Sequence, residues 1–359
     1  MGVIPHSRHT AFTMQSMSCA DCGVDEGEGV SLKACKSCML VKYCNPTCQL
    51  NHWPKHKKLC KQRAAELHDE ALFKEPPPKE DCPICFLPMP GKLINCFSFP
   101  PATISSVPIA TISSMPINDV TNMTISSMPI NDVTNIHQEL ADLTTAIYYS
   151  CCGKSICGGC IHSFGKTGNK EKCPFCNADT EINSDADKIE NIMKRVDSID
   201  TGAIDLLGTC YYNGLLGIHQ DETKAIELWM RAAELGFSKS HNYLGMHYYH
   251  RKNWKKAKFH LEAAAMAGHE EARNNIGLLE LEQFNNTDRA VKHWIISASA
   301  GSYNAMNALR SCFENDIGID RESLDSTLTA YNTSCGEMRS EARDAFIYSF
   351  LGINLEDFN

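Results

Sequence analysis

Apolar and polar positions follow different rules in the two halves of this chain. From Gly202 to Leu309, alanine, leucine, tyrosine and tryptophan recur every 32 to 33 residues, stretched in the first unit by the loop 214–221. Leu207-Gly208 with Tyr211-Tyr212 returns as Leu244-Gly245 with Tyr248-Tyr249, and more loosely as Ile276-Gly277. Ala225 and Trp229 align with Ala257 and Leu261, then with Ala290 and Trp294. The pairs Ala232-Ala233 and Ala264-Ala265 each precede a glycine, Gly236 and Gly268, and Ala298 with Ala300 precedes Gly301. A period of this length predicts two helices per unit, small residues where the helices approach and glycine ending the second helix. Tyr212, Tyr249, Trp229 and Trp294 are expected to fill the space between helices. A last unit needs a cap: Asp320 can start a helix carrying Leu324, Leu328 and Tyr331, and Met338, Ala342, Ala345 and Phe346 share one face of another.

Before residue 178 the periodicity is absent and cysteine spacing takes its place. One helix is nevertheless predicted after Pro46, a first-turn proline, and on it Cys48, His52, His56 and Cys60 recur every four residues along one face. Of the 19 cysteines, fifteen join one histidine in two sets of eight. The first set is Cys19, Cys22, Cys35, Cys38, Cys44, Cys48, His56 and Cys60. The second is Cys82, Cys85, Cys151, Cys152, Cys157, Cys160, Cys173 and Cys176. Cys-x-x-Cys knuckles turn two sulfurs toward one metal, and thiolate with imidazole is the donor chemistry of zinc, so four tetrahedral zinc sites are predicted. With four protein donors at each, no position stays open for a hydrolytic water.

The first set resembles the MYND zinc finger on Tyr43-Cys44, Cys48, His56 and Cys60. The resemblance implies a cross-brace with Cys19, Cys22, Cys44 and Cys48 on one zinc and Cys35, Cys38, His56 and Cys60 on the other. His52 is then a packed or hydrogen-bonded histidine. It also implies that Gln49 and Trp53 flank a groove for short proline-containing peptides, and an exposed tryptophan beside an amide suits such an anchor. The basic run 55–63 reads as the solvated face of this helix.

The second set resembles an all-cysteine RING finger. That resemblance implies Cys82, Cys85, Cys157 and Cys160 on one zinc and Cys151, Cys152, Cys173 and Cys176 on the other, with Ile84, Phe164 and Pro174 facing a ubiquitin-conjugating enzyme. Such ligases act by positioning a charged conjugating enzyme, with no nucleophile of their own. Two departures stand out. Adjacent Cys151 and Cys152 point apart in extended backbone, so they need a turn, eased by Gly153; Cys96 and His162 are the alternatives. The stretch 86–150 is long and holds a thirteen-residue tandem, 111–123 and 124–136, with a proline in each copy, which reads as an expanded surface loop. Asn177 stands where active RING fingers carry a cation. The helical half resembles Sel-one-like repeats, relatives of the tetratricopeptide family, which implies a curved array that binds peptides or proteins.

The expected architecture is multidomain: two small cross-brace zinc modules, MYND and RING-like, and an all-α helical-repeat solenoid. Its expected segments are a disordered start at 1–18, the MYND finger at 19–60, a linker helix and proline turn at 61–81, and the RING-like finger at 82–177 with a low-complexity insertion at 97–147. A linker at 178–201, repeats at 202–310 and capping helices at 311–359 complete it. No apolar run reaches the ~20 residues of a membrane span. Without a hydrophobic signal core, and with thiolate sites that need a reducing compartment, cytoplasm or nucleus is expected. A net charge of −9 disfavours nucleic acid. Zinc is the expected cofactor and proteins or short peptides are the expected partners, either for a ubiquitin ligase or for a non-enzymatic adaptor.

Overall fold

The structure, a computed structural model, describes residues 18–27, 29–89, 146–180, 184–338 and 340–350. Almost all of the expected disordered start, and nearly the whole insertion with Cys96, lie outside the described residues. The chain divides into two compact units, Met1–Lys74 and Glu75–Asn359.

In the first unit, strands β1 (Lys33–Ala34) and β2 (Lys42–Tyr43) pair antiparallel, with Lys33 opposite Tyr43. Helix α1 (Pro46–Leu72) follows. The Asn45 side chain accepts from the Cys48 amide, and Pro46 fills a first-turn position where its missing N–H costs nothing. The finger helix and the expected linker helix are one continuous element of 27 residues, with Pro54 inside it. Proline removes one intrahelical bond without ending this helix. Cys48, His56 and Cys60 are its buried metal-facing stripe. The core around them is Cys19, Leu32, Cys35, Cys38 and Tyr43, mostly sulfur. So little hydrocarbon cannot offset the ordering entropy of the finger, which makes metal binding its source of stability.

The second unit opens with the hairpin β3 (Ile147–Tyr149) and β4 (Lys154–Ile156), followed by α2 (Gly158–Lys166). Helix α3 (Asp185–Asp197) comes next, then the pairs α4 (Thr201–Asn213) with α5 (Glu222–Glu234), α6 (Ser238–His250) with α7 (Trp254–Met266), and α8 (Glu270–Phe284) with α9 (Thr287–Ser299). Helices α10 (Tyr303–Glu314), α11 (Arg321–Glu337) and α12 (Glu341–Phe350) complete the described part.

The sequence period has a steric cause. A Cβ at Gly208 would lie 2.8 Å from the Trp229 ring, one at Gly245 2.7 Å from Leu261, and one at Gly277 2.5 Å from Trp294. Each first helix thus carries glycine where the large side chain of its partner helix lies against the backbone. Trp229 and Trp294 are buried, as expected, while Tyr212 and Tyr249 are only half-buried. Gly236, Gly268 and Gly301 follow the second helices at φ of 88°, 87° and 93°, the left-handed stop that glycine supplies.

Two expectations change. The segment 178–201 is not a plain joint, because Ser184 and Asp187 form a capping box and α3 buries Ile192 and Val196 against Ala203, Ile204 and Leu207 of α4. The C-terminal helices do different jobs. Asp320 caps α11, which buries Tyr331 and Cys335 in the core of α9 and α10 while Leu328 faces out; α12 packs on α2 of the second cysteine module. Leu328 fails as a core position because α11 meets α9 and α10 on its other side.

Candidate metal centres

Four groups of metal-competent side chains occur among the described residues, and in each the donor atoms lie within 4.8 Å of one another. In the first unit Cys19, Cys22, Cys44 and Cys48 converge, as do Cys35, Cys38, His56 and Cys60. In the second unit the groups are Cys82, Cys85, Cys157 and Cys160, and Cys151, Cys152, Cys173 and Cys176. The knuckles alternate between the sites in sequence, so each module is intertwined around two centres. Sulfur and one imidazole in fours fit zinc, whose structural sites are closed tetrahedra of these donors. When bound, zinc supplies a rigid cross-link with no open position for chemistry.

Local backbone explains four of the five Cys-x-x-Cys knuckles, the fifth, Cys157 to Cys160, lying at the start of α2. The Gly23 amide donates to the Cys19 carbonyl, Met39 to Cys35, Phe86 to Cys82 and Asn177 to Cys173, four copies of one tight turn. Met39, Phe86 and Asn177 take φ of 57°, 55° and 59° there, beside Gly23 at 76°. Adjacent Cys151 and Cys152 reach a common site because the Tyr149 carbonyl accepts from both the Cys152 and Gly153 amides, with Gly153 at φ 69°. Their sulfurs sit 3.5 Å from Cys176 and 3.8 Å from Cys173 respectively. His162 is outside this group, with its ring against Phe346.

In each group one thiol is held below its ordinary range. Burial alone would raise Cys19 and Cys82, but backbone N–H groups outweigh it and bring both down to about 6. Cys35 and Cys176 are lowered by the same balance. Burial and neighbouring sulfurs push Cys60 up to about 12 and Cys152 to about 11. One ready thiolate can make the first metal bond, and the remaining protons leave as the site closes. Burial, then the charge of His52, keeps His56 neutral and able to donate a lone pair. His52 itself bonds the Tyr43 hydroxyl through Nδ1 at 3.0 Å and stacks on His56.

The expected docking residues divide by exposure. Gln49 and Trp53 lie one turn apart on the open face of α1, with Trp53 38% exposed and edge-on to His56. Ile84 is exposed at the tip of its knuckle, while Phe164 and Pro174 are partly buried. Phe86 and Phe175, which the sequence reading passed over, are the more exposed apolar side chains of this module.

Two arginines also escaped sequence analysis. Arg343, buried on α12, donates to the carbonyls of Pro88 (2.9 Å), Leu87 (3.3 Å) and Met338 (2.7 Å) and reaches the Cys85 sulfur at 3.6 Å. Arg195 on α3 donates to the carbonyls of Ser150 and Cys151. Gly158 and Gly159 of α2 let α12 approach this closely, since a Cβ on either would strike Phe346 or the Arg343 backbone. Lys79, ahead of the first knuckle, pairs with Glu270 at 2.7 Å and donates to the Ala300 carbonyl. No sequence pattern marks these arginines, because their partners are backbone carbonyls far along the chain.

The fold and sites together define a protein with N-terminal zinc-finger clusters followed by a helical-repeat region. The family model described as MYND finger matches residues 19–60. Comparison with curated proteins gives no match. Among solved structures, a Sel1 repeat protein from Oxalobacter formigenes is 25% identical, covering 56% of this chain and 82% of its own, at a TM-score of 0.38. A protective antigen of uropathogenic Escherichia coli with an SLR fold is 15% identical over 64% and 48%, at 0.36. An immunity protein from Pseudomonas aeruginosa is 16% identical over 50% and 82%, at 0.28. No helix among the described residues is long and apolar enough to cross a membrane.

Proposed function

We propose that this chain is a protein-interaction platform whose zinc ions are structural. Each ion is held by one of the four donor groups: Cys19, Cys22, Cys44 and Cys48; Cys35, Cys38, His56 and Cys60; Cys82, Cys85, Cys157 and Cys160; and Cys151, Cys152, Cys173 and Cys176. The observation that carries the reading is that every group brings four protein donors, which closes the metal to substrate and leaves function to the side chains around it. In the MYND finger those side chains are Gln49 and Trp53, a rigid exposed pair suited to a short proline-containing peptide. Binding of a proline-peptide array that is lost on Trp53→Ala, with zinc content unchanged, supports this. Equal binding by the variant contradicts it.

A second reading rests on Ile84, exposed at the knuckle tip with Phe86 and Phe175 on the same module. Such a patch on a RING-like core suits docking of a ubiquitin-conjugating enzyme, with Phe164 and Pro174 supporting it. A reconstituted ubiquitination assay across a panel of conjugating enzymes tests it. Chain formation that falls with Ile84→Ala supports ligase activity, and none from zinc-loaded protein leaves the adaptor.

A further inference from the structure

A cleft of about 810 Å³ opens on the repeat region between the end of α6, the start of α7 and the end of α8. Its walls include Lys252, Trp254, Lys255, Lys258, Phe259 and Phe284. Phe259 is 63% exposed and Phe284 43%, whereas Trp229 and Trp294 of the same repeats are buried.

The charge of the cleft opposes that of the chain. The protein carries −9, yet the cleft lining holds Arg251, Lys252, Lys255 and Lys258 against a single carboxylate, Glu262. Two of these cations are already engaged. Arg251 pairs with Glu222 at 2.6 Å, and Lys258 pairs with the buried Glu280 at 2.6 Å while its ammonium lies 4.8 Å from the Phe284 ring centroid. Lys252 and Lys255 have no carboxylate partner among the described residues.

The backbone at Lys252 is left-handed as well. The turn after the first helix of each pair needs a left-handed residue, supplied by Gly214 at φ 68° and by Asn285 at φ 49°. In the middle pair that residue is Lys252 at φ 57°, where a lysine costs roughly 1 kcal/mol that glycine would not. Ile199 and Asp316 take the same conformation in the turns after α3 and α10, at φ of 61° and 55°.

We propose that this cleft binds an acidic segment of a partner protein that also carries leucine or phenylalanine. Carboxylates of the segment meet Lys252 and Lys255, and its apolar side chains lie between Phe259, Phe284 and Trp254. The proposal rests on the interaction-platform reading and names one surface and one ligand chemistry within it. The overall charge of −9 disfavours a phosphate backbone.

Fluorescence anisotropy with the full zinc-loaded chain and a labelled dodecapeptide alternating glutamate with leucine and phenylalanine tests this. The expected result is binding that weakens about tenfold with the double substitution Lys252→Glu and Lys255→Glu, weakens with Phe259→Ala, and falls as salt rises. Lys252→Gly is the decisive variant: it should lower affinity while leaving the melting temperature unchanged or higher, because glycine fits that backbone. No binding by the wild-type chain, binding indifferent to these changes, equal binding of a glutamine-for-glutamate peptide, or preference for a single-stranded oligonucleotide overturns the proposal. The Trp53→Ala array experiment reports on a different unit, so failure at this cleft and failure of the platform reading are told apart.

Discussion

The two cysteine modules of this chain hold the same number of donors in the same alternating order, yet they are supported in different ways. The first closes within residues 19–60 on a two-strand ribbon and a long helix, and its core is mostly its own cysteines, with Leu32 and Tyr43. The second shares its backbone carbonyls with the helices: Arg195 caps the turn at Cys151, Arg343 caps the Cys82–Cys85 knuckle, and α12 lies along α2. A metal knuckle leaves carbonyls pointing outward, and these need donors. In the second module the guanidinium groups of half-buried Arg195 and buried Arg343 supply them. Similar ligand sets can therefore define an independent module in one case and part of a larger fold in the other.

Removing zinc should separate the first module from the helical repeats most strongly. Structural zinc contributes on the order of 10 kcal/mol to modules of this size, so chelation should unfold residues 19–60 completely. Hydrogen exchange should show the helices α4–α9 still protected, because their core of Trp229, Leu261 and Trp294 contains no metal ligand. Loss of protection throughout the repeats would mean that they depend on metal too.

Arg343→Met should come next in size. It leaves the carbonyls of Leu87, Pro88 and Met338 without their donor, a loss of roughly 3 kcal/mol confined to the second unit. Zinc release from the second module should quicken, with that from the first unchanged. Equal effects on both modules would erase the distinction drawn here.

Gly277→Ala probes the repeat packing alone. A Cβ there lies 2.5 Å from the Trp294 ring nitrogen, and overpacking of this kind costs about 1–3 kcal/mol. The melting temperature of the repeats should fall while zinc content stays at the wild-type value.

Acid should weaken α6 and α7 by a smaller amount. Burial, then the charges of His241 and Lys256, holds His260 down to about 4, below its ordinary 6.5. Between those values the unfolded chain binds the proton and the folded chain does not, so stability is lost as pH falls from 6.5 toward 4. His293, pushed by burial to about 2, acts in the same sense, whereas Asp205, raised by burial, acts against it. A drop of roughly 1–2 kcal/mol by pH 5 should appear in hydrogen exchange of α6 and α7, and His260→Phe should reduce it, the remainder resting on His241 and His247 of α6, which burial also lowers. An unchanged profile in that variant would place the titration elsewhere.

Much of this was legible in the sequence because it is local or periodic. The Cys-x-x-Cys knuckles, the Asn45-Pro46 helix start and the glycine that faces Trp229, Leu261 or Trp294 each leave a fixed spacing. Elements held by distant backbone were not legible. Arg343 and Arg195 bind carbonyls, which carry no residue identity, so nothing in the sequence tied α12 to the second module. The expected joint at 178–201 hid a helix because its apolar face is only Ile189, Ile192 and Val196 within an acidic stretch. Leu328 followed the right helical period and still faced solvent, since period fixes a face but not which face meets a neighbour.

Native mass spectrometry of the reduced, full chain tests the central claim most directly, because the account requires two metals in each module. Four zinc ions per chain, falling to two when Cys82 and Cys173 are both replaced by serine, is the predicted result. Two ions in the unaltered chain, or cysteines paired as disulfides with no metal bound, would contradict it.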